Sequence, residues 1–422
     1  MTKRYIAAIM TAIAASVTIL CAQTPVATST PRSNNSPEEM ESEAVDAAIE
    51  APEVWLVTCY PGMDVYELEG HTALRLKFND GRDVAVNWGV FDFNSPNFLY
   101  RFVKGETDYV MGIAPYDLFK ASYARHSRRV EEQKINLTPS EAIRLTELID
   151  STLTGNNRVY RYNYVKDNCA TRPLRYLENA MGQKITLGAN SLPADCSSFR
   201  DDMTYYHRNY PWYQLGIDLA LGSGIDYRLT NREHSFAPIM LKDMMEGAKG
   251  EDGRQVVTET AVAVEGNQTA ATGGPTPLPL QPITVMTAIM LATAIISATD
   301  VTRGKLTKWW TSILYGAFGL AGLLLTFLIF VSEHEATTPN WQYLMMNPFC
   351  FIAAIGIWLK NCKKVVYFYQ IINFVALLAL TAAGLSGMQR LNVALYPLIV
   401  SDMLCAITYL YINKRECLKK QK

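Results

Sequence analysis

The sequence predicts an α+β domain that precedes an all-α membrane region of five helices. Residues 52–249 alternate short apolar and polar patterns, which is typical of strands and amphipathic helices. After Pro282 the chain is mostly apolar and falls into five runs, each close to the roughly 20 residues that span a bilayer. The formal net charge is −1, so no basic excess favours nucleic acid as a partner.

The N-terminus has the pattern of an export signal. Lys3 and Arg4 precede an apolar run from residue 5 to residue 20, so residues 1–22 are predicted to be a signal peptide or an uncleaved signal anchor. Residues 23–51 lack aromatic side chains and combine Pro, Ser and Thr with an acidic run, which predicts a disordered linker. Either form of the signal exports the domain that follows.

The first half of the domain predicts a β-sheet. Residues 54–59 are a strand candidate, and alternation from Ala73 onward predicts a half-buried strand. The turn signal Asn79-Asp80-Gly81-Arg82 joins that strand to a partner at residues 84–88, as in a hairpin. Two further strands are predicted at residues 105–111 and 129–137.

Two helices are predicted in the second half of the domain. Thr138-Pro139-Ser140-Glu141 combines a cap, an early proline and a glutamate, so a helix is expected to begin there and run to about Leu153. A strand-like run at residues 159–165 precedes the second helix, whose apolar residues recur at i, i+4, i+7 and i+11. That face consists of Ala170, Leu174, Leu177 and Met181.

Cys169 lies where the strand-like run passes into the second helix. The free N–H groups and the dipole of a helix N-terminus favour a thiolate at such a position. Pro173 is tolerated only in a first turn, so the regular helix is expected to begin just after Cys169. A lone cysteine is more often a small buried core residue, and this observation alone leaves that alternative open.

The other cysteines and histidines give weaker signals. The 8 cysteines form no CxxC pair, so neither a metal site nor a disulfide framework is predicted, and no cofactor is implied. Spacing gives no support to a bridge between Cys59 and Cys196. His126, His207 and His234 are expected to be surface residues or hydrogen-bonded core residues.

Beyond the domain, residues 250–281 are polar and rich in Gly, Thr and Pro, which predicts a second linker. Five membrane helices are predicted within residues 282–413. The apolar runs are 282–299, 309–331, 343–359, 365–385 and 393–412. Asp402, together with Gln370 and Asn373, lies within these runs, where polar groups usually face the bundle interior. A functional group and a structural hydrogen bond between helices are both compatible with this pattern.

The charges between the runs predict their orientation. Eleven Lys and Arg residues follow the first, third and fifth runs, whereas the loops after the second and fourth runs contain only Arg390. By the positive-inside rule the basic tail at residues 414–422 is cytoplasmic, which places residues 52–249 outside. The export signal independently predicts the same orientation.

A Cys–His pair is the main candidate for chemistry. His71 begins the first hairpin strand, and Asn87 lies late on the returning strand, near His71 across the turn. An imidazole within hydrogen-bond reach of a thiol can take its proton and later return it to a leaving group. A third polar group, here Asn87, would fix the tautomer of the ring. The spacing alone does not distinguish these roles from a turn histidine and a polar residue at a strand end.

Three segments of the domain resemble the Lnb family of bacterial lipoprotein N-acyltransferases. They are Gly70-His71-Thr72-Ala73-Leu74-Arg75-Leu76, Asn87-Trp88-Gly89-Val90-Phe91-Asp92-Phe93 and Asp167-Asn168-Cys169-Ala170-Thr171-Arg172. The likeness extends over roughly residues 54–245, and an exported domain followed by several spans is also similar to Lnb.

More distantly, the order of His71, Asn87 and Cys169 is similar to circularly permuted NlpC-type papain-like thiol enzymes, among them lecithin:retinol acyltransferase. This resemblance implies a permuted papain-like (NlpC-type) fold for residues 52–249. It also implies that His71 is the base and that Cys169 forms an acyl-thioester. Those acyltransferases have a second histidine as the orienting residue, where this sequence has Asn87.

The resemblance implies a lipoprotein N-acyltransferase of the bacterial inner membrane with a periplasmic domain. Its partners would be a phospholipid acyl donor and a diacylglyceryl lipoprotein acceptor. Two other functions stay open: a membrane-anchored papain-like peptidase or amidase that acts on the cell wall, and a non-catalytic membrane receptor. Asn168, Thr171 and Tyr164 flank the thiol and are candidates to bind the substrate or to donate to an oxyanion.

Overall fold

A computed structural model describes residues 51–91, 95–266 and 274–418, with side chains given up to Lys414. The predicted signal segment at residues 1–22 lies outside the described residues. So do the predicted linker at residues 23–51, apart from its last residue, and residues 419–422 of the basic tail.

The domain is built on an antiparallel sheet, as the alternating patterns predict. Seven strands pair in the order β6-β4-β3-β2-β1-β5-β9, and β7 pairs separately with β8. The strands are β1 (Glu53–Cys59), β2 (His71–Lys77), β3 (Asp83–Val90), β4 (Asp108–Pro115), β5 (Val130–Ile135), β6 (Val159–Arg161), β7 (Ile185–Thr186), β8 (Lys249–Gly250) and β9 (Val257–Val264). The predicted hairpin is confirmed, since β2 and β3 pair from Lys77 opposite Asp83 to Ala73 opposite Asn87.

Helices cover both faces of the sheet. The domain helices are α1 (Phe98–Lys104), α2 (Tyr116–Ala124), α3 (Pro139–Thr154), α4 (Thr171–Met181), α5 (Phe199–Tyr206), α6 (Pro211–Ala220), α7 (Asn231–His234) and α8 (Pro238–Glu246). On β2, Leu74 packs in the core that contains α3 and α4, whereas Ala73 packs in the core that contains α2. The period-2 alternation of this strand therefore supplies both faces.

Both predicted helices form where their caps and periodicity place them. The Thr138 side chain accepts from the backbone N–H of Glu141, whose carboxylate accepts from the N–H of Thr138, so the capping box of α3 is complete. The predicted face of α4 is buried along its whole length, from Ala170 to Met181. The strand before α4 is shorter than predicted, because Asn163 and Asp167 exchange backbone hydrogen bonds and turn the chain after Arg161.

The predicted linker at residues 250–281 is wrong over part of its length. Residues 257–264 form β9, which pairs with β5 and completes that edge of the sheet, so the domain does not end at residue 249. The segment is polar because one face of an edge strand is exposed, and its Thr and Glu residues therefore look like a linker in composition. Its β-branched residues and its alternation are compatible with a strand.

The membrane region contains four long helices among the described residues, so the predicted count of five is not confirmed. They are α9 (Pro282–Arg303), α10 (Lys308–Phe330), α12 (Lys363–Leu385) and α13 (Leu395–Leu418). The third apolar run is interrupted, with a 3-10 turn at Trp341–Leu344 and the short α11 (Cys350–Gly356). Pro348 explains the break, since proline disfavours a helical conformation at the preceding Asn347 and removes an N–H donor.

The interrupted segment nevertheless runs along the full length of α10. The Tyr343 hydroxyl lies 3.1 Å from the hydroxyl of Thr326, and the Trp358 indole donates to Ser312 at 2.7 Å. Thr326 and Ser312 are 14 helical residues apart, or about 21 Å along the axis. The side chain of Asn347 accepts from the backbone N–H of Phe349 and donates to the backbone carbonyl of Tyr343. It therefore satisfies backbone groups at the break.

The domain is docked on one end of the helix bundle through α6. Leu215 packs in the same hydrophobic core as residues of α10, α12 and α13. The carbonyl of Asp218 accepts from Gln342 at 2.6 Å, and its carboxylate accepts from Asn392 at 2.8 Å. Arg390, in the loop before α13, pairs with Asp201 of the domain. The domain and the bundle therefore share one continuous interface.

Candidate active site

The ends of β2 and β3 bring His71 and Asn87 into direct contact. His71 Nε2 lies 3.1 Å from Asn87 Oδ1, while the amide nitrogen of Asn87 faces the carbonyl of Ala85 at 3.5 Å. Because the amide oxygen can only accept, Nε2 carries the proton in this hydrogen bond. The other ring nitrogen, Nδ1, is then the unprotonated base of the neutral ring. The orienting contact predicted for Asn87 is therefore present in the structure.

The backbone before His71 admits only glycine. Gly70 has a φ of +83°, and a Cβ at this position would lie 2.5 Å from the carbonyl oxygen of Cys59. This close approach holds the start of β2 against β1. Burial lowers the pKa of His71 to about 4, and the hydrogen bond to Asn87 opposes the shift only in part. The imidazole is consequently a neutral base at pH 7.

Cys169 lies beneath the same strand ends, just before α4, and its side chain is buried. Its sulfur accepts hydrogen bonds from the backbone N–H of Thr72 and from the Tyr162 hydroxyl. Burial nevertheless raises the pKa of the Cys169 thiol to about 11. The prediction of a thiolate stabilised by the helix N-terminus is therefore wrong for this structure, in which the thiol is neutral at pH 7.

Asn168 explains why the helix N-terminus does not stabilise a thiolate. Its side-chain oxygen accepts from the backbone N–H groups of Ala170 and Thr171, both at 2.9 Å. Its amide nitrogen donates to the carbonyls of Tyr164 and Phe236, which commits both of its hydrogens. Asn168 therefore fixes the loop that carries the thiol, and the prediction that it donates to an oxyanion is not compatible with this geometry.

The other two oxyanion candidates are placed differently. The Thr171 hydroxyl accepts from the N–H of Asn168 at 2.9 Å, which closes the same loop. Thr171 also lines a separate cleft of about 280 Å³ with Lys166 and Arg175. Tyr164 is 42% exposed, and its hydroxyl hydrogen bonds to the Glu69 carboxylate. Of the three candidates, Tyr164 alone is strongly exposed to solvent.

His71 and Cys169 are close, although no hydrogen bond joins them among the described residues. The N–H of Thr72, the residue after His71, bonds to the Cys169 sulfur. A Cβ on Gly89, two residues after Asn87, would lie 3.9 Å from Cβ of Cys169. Catalytic hydrogen bonds are often long in ligand-free enzymes, so this arrangement is compatible with proton transfer from the thiol to the imidazole.

Glu69 and His207 belong to the same region, and the sequence did not single them out. Glu69 Oε1 lies 3.5 Å from Nε2 of His207, which is only 1% exposed. The charge of Glu69 acts on the Cys169 thiol. Glu69 directly precedes Gly70-His71, and that adjacency was the one available sequence signal. His207 is buried as a core histidine would be, but its Nε2 has no hydrogen-bond partner.

The other histidines and cysteines named in the sequence analysis make contacts that indicate structural roles. His126 is exposed and contacts the carbonyl of Ser122, while His234 is buried against Asp202 at 2.7 Å. Cys59 and Cys196 are both free. Among the described residues no group of three or more potential side-chain ligands could hold a metal ion.

Asp402 is fully buried between membrane helices and far along the chain from the thiol. Its Oδ1 lies 2.5 Å from the Tyr315 hydroxyl and accepts from Asn373 at 2.8 Å, whereas its Oδ2 has no partner. The Tyr315 hydroxyl also lies 2.8 Å from Gln370 Oε1. Asn373 borders an apolar groove of about 680 Å³ between the interrupted segment and α12. A functional and a structural role for Asp402 both fit this network.

The loop that carries Cys169 is also tied to the bundle. Lys166 pairs with Glu335, and Arg161 pairs with Glu333 at 3.0 Å; both glutamates lie in the segment after α10. The Phe102 carbonyl of α1 contacts His334 at 2.8 Å. The chain just before Cys169 therefore contacts the segment after α10.

Two family models match the chain in these two parts. The Lnb N-terminal periplasmic domain matches residues 41–200, which contain His71, Asn87 and Cys169. The Lnb transmembrane domain matches residues 275–416, which contain the helix bundle. The chain belongs to the Lnb family.

Membership of the Lnb family agrees with the two-part architecture, an N-terminal sheet domain followed by a helical membrane region. It indicates a multi-pass membrane protein with a periplasmic N-terminal domain and a role like that of a lipoprotein N-acyltransferase. No curated protein and no solved structure matched the chain.

Proposed function

We propose that this Lnb protein transfers an acyl chain from a phospholipid, through a thioester on Cys169, to the α-amino group of a lipoprotein's N-terminal diacylglyceryl-cysteine. The observation that carries the proposal is the thiol's position. Its sulfur bonds to the N–H of the residue after His71, and the loop that carries it pairs with the segment after α10. Both substrates are lipid-anchored, so a nucleophile held near the membrane can reach them without extracting them into water.

In the first half-reaction the Cys169 sulfur attacks the ester carbonyl of the phospholipid. Nδ1 of His71 takes the thiol proton, the S–C bond forms, and the C–O bond to the glycerol breaks. The alkoxide leaves as the alcohol of a lysophospholipid after His71 returns the proton. A neutral thiol beside a neutral imidazole is suited to this transfer, because the proton moves as the S–C bond forms.

In the second half-reaction the acceptor's amine attacks the thioester carbonyl. The N–C bond forms, the C–S bond breaks, and His71 carries a proton from the nitrogen to the departing sulfur. Asn87 keeps Nδ1 unprotonated between transfers by accepting from Nε2. The chemistry requires no cofactor.

The loop charges support a cytoplasmic position for the basic tail.

A cell-wall peptidase is the second candidate, and a non-catalytic receptor is the third. A peptidase predicts an open polar groove beside the thiol and no need for a membrane bundle. The buried thiol and the docked bundle favour the acyltransferase. Acylation of lipoproteins therefore discriminates among the three functions.

The test is mass spectrometry of lipoprotein N-termini from cells that carry the wild-type gene, no gene, Cys169→Ala or His71→Ala. Each variant should lose N-acylation by several orders of magnitude, and the double variant should be little worse, because nucleophile and base act as a unit. Cys196→Ala is the matched control, since it removes another free cysteine of the same domain. Near-normal acylation by Cys169→Ala would refute the proposal.

A further inference from the structure

Two buried acceptor atoms face each other beside the reactive thiol. Nδ1 of His207 lies 2.7 Å from Gln214 Oε1, and the amide nitrogen of Gln214 donates to Asp218 at 2.9 Å. This second contact fixes the Gln214 oxygen toward His207, so Nδ1 carries the proton in the neutral form of the ring. Its Nε2 is then an acceptor that faces Glu69 Oε1 at 3.5 Å.

Neither atom of this pair has a hydrogen-bond partner in the described structure. Glu69 Oε1 and His207 Nε2 are both buried and unsatisfied. The Tyr164 hydroxyl bonds to the Glu69 carboxylate, but among the described residues no donor reaches Oε1 or the facing Nε2. An unsatisfied buried acceptor costs free energy until a donor arrives. A cationic group with several N–H donors would satisfy both atoms at once.

Several tyrosines lie near the carboxylate. Besides burial, the charge of Glu69 raises the pKa of each of them. They are Tyr162, Tyr164, Tyr206 and Tyr213. The Tyr213 ring lies against His207 with its centroid 4.9 Å away. Tyrosine rings attract ammonium groups, so a buried carboxylate with several tyrosines near it is suited to bind one.

The Glu69 side chain is partly exposed beside the buried pair of atoms. It is 11% exposed, and Tyr164, which hydrogen bonds to it, is 42% exposed. Glu69 lies three residues before Thr72, whose backbone N–H bonds to the Cys169 sulfur, and its charge raises the pKa of the thiol. A cation bound to Glu69 therefore lies near the carbonyl of an acyl group carried by Cys169.

We propose that Glu69, with Nε2 of His207 and the nearby tyrosine rings, binds the protonated α-amino group of the acceptor lipoprotein and removes its first proton. This inference rests on the proposed function and assigns the acceptor's place in it. An ammonium has no lone pair and cannot attack a thioester. Glu69 takes one proton and releases it to water, the neutral amine attacks, and the second proton passes through His71 to the sulfur as the C–S bond breaks.

The experiment separates the two half-reactions in purified full-length protein. A phospholipid with a radiolabelled acyl chain first loads Cys169, and a synthetic diacylglyceryl-cysteine peptide with a free α-amino group is then added. Glu69→Gln should load at least as fast as the wild type, because the negative charge that it loses raises the pKa of the thiol in the wild type, whereas transfer to the peptide should fall about 100-fold, the lower end of what a positioned base contributes. Asp64→Asn is the matched control, since it removes an exposed carboxylate from the same loop.

Two further measurements test whether the effect of Glu69→Gln is specific to an ammonium acceptor. Hydroxylamine is uncharged at neutral pH, so it should release the acyl group from Glu69→Gln as fast as from the wild type. Tyr213→Leu should raise the peptide's KM several-fold without changing the loading rate, because it removes one ring and leaves the carboxylate.

The outcomes distinguish this inference from the proposed function. Wild-type peptide transfer by Glu69→Gln would overturn the ammonium site. So would a parallel loss of loading and hydroxylamine release, because Glu69 would then support the thiol itself. Failure of the wild type to form a thioester on Cys169 would instead overturn the proposed function.

Discussion

Asn87→Asp should move the pH dependence of thioester formation. In the wild type the imidazole of His71 has a pKa of about 4, so it is a free base throughout the neutral range. Protonation of the ring blocks its transfer role, and the rate should therefore fall only as the pH drops through about 4. Aspartate would place a carboxylate oxygen where Oδ1 of Asn87 now lies, 3.1 Å from Nε2.

The size of the shift follows from that distance. An opposite charge within hydrogen-bond reach stabilises the imidazolium and raises the pKa by about 1 to 3 units. The acid limb should thus move from about 4 to between about 5 and 7. For a shift of two units, the free-base fraction at pH 5 drops from about 90% to about 10%, since each unit is a factor of ten in the equilibrium.

The assay is the single-turnover rate of label transfer from a phospholipid to Cys169, measured between pH 4 and pH 8 and normalised to each variant's own plateau. Asn87→Asp should lose about tenfold at pH 5 relative to the wild type. Asn156→Asp serves as the control, since it adds a carboxylate at an exposed position of the same domain.

Two results would refute this reasoning. A wild-type limb near pH 6.5 would mean that the ring is not desolvated as the structure shows. An unshifted limb in Asn87→Asp would mean that residue 87 does not contact His71 during the reaction.

Three further predictions concern the membrane region. Gly322→Ala should destabilise the bundle by about 1–3 kcal/mol, because a Cβ would lie 2.4 Å from the backbone of Asn347. The thermal midpoint in detergent should therefore fall. Gly316→Ala is the control, since a Cβ there would have nothing within 4 Å, and its midpoint should be unchanged or higher. Asp402→Asn should lower acyl transfer with normal membrane insertion if the buried network acts in the reaction, and wild-type turnover would establish a structural role instead. A reporter fused after Val264 should be active only in its exported form, and cytoplasmic activity would contradict the predicted orientation.

Local patterns in the sequence predicted the structure wherever the conformation of a segment depends on its own residues. The turn around Gly81 produced the hairpin, and the capping box at Thr138 began α3 where expected. His71 and Asn87 could be paired from the sequence because they lie on neighbouring strands of one hairpin, where register follows from the turn. Their partner Cys169 was found through a family resemblance, since no local rule relates residues so distant in sequence.

The predictions that were wrong or not confirmed concern segments whose conformation differs from what their composition indicates. The polar residues of β9 look like a linker until β5 supplies hydrogen bonds along that edge. The third apolar run has the length of a span, but Pro348 divides it, and the structure shows that the segment still follows α10 from end to end. Length and hydropathy do not distinguish a continuous helix from an interrupted one.

The sequence by itself determined the two-part architecture. The orientation stays a prediction from the loop charges, and the pairing of Cys169 with His71 stays a prediction from the family resemblance. Tertiary structure decided the ionisation of that pair, because burial depends on every element packed around the site. It outweighs the helix N-terminus at Cys169, whose neighbouring amides are already capped by Asn168. Tertiary structure also placed His207 beside Glu69, 138 residues away in the chain, and no sequence pattern predicts that contact because only packing creates it.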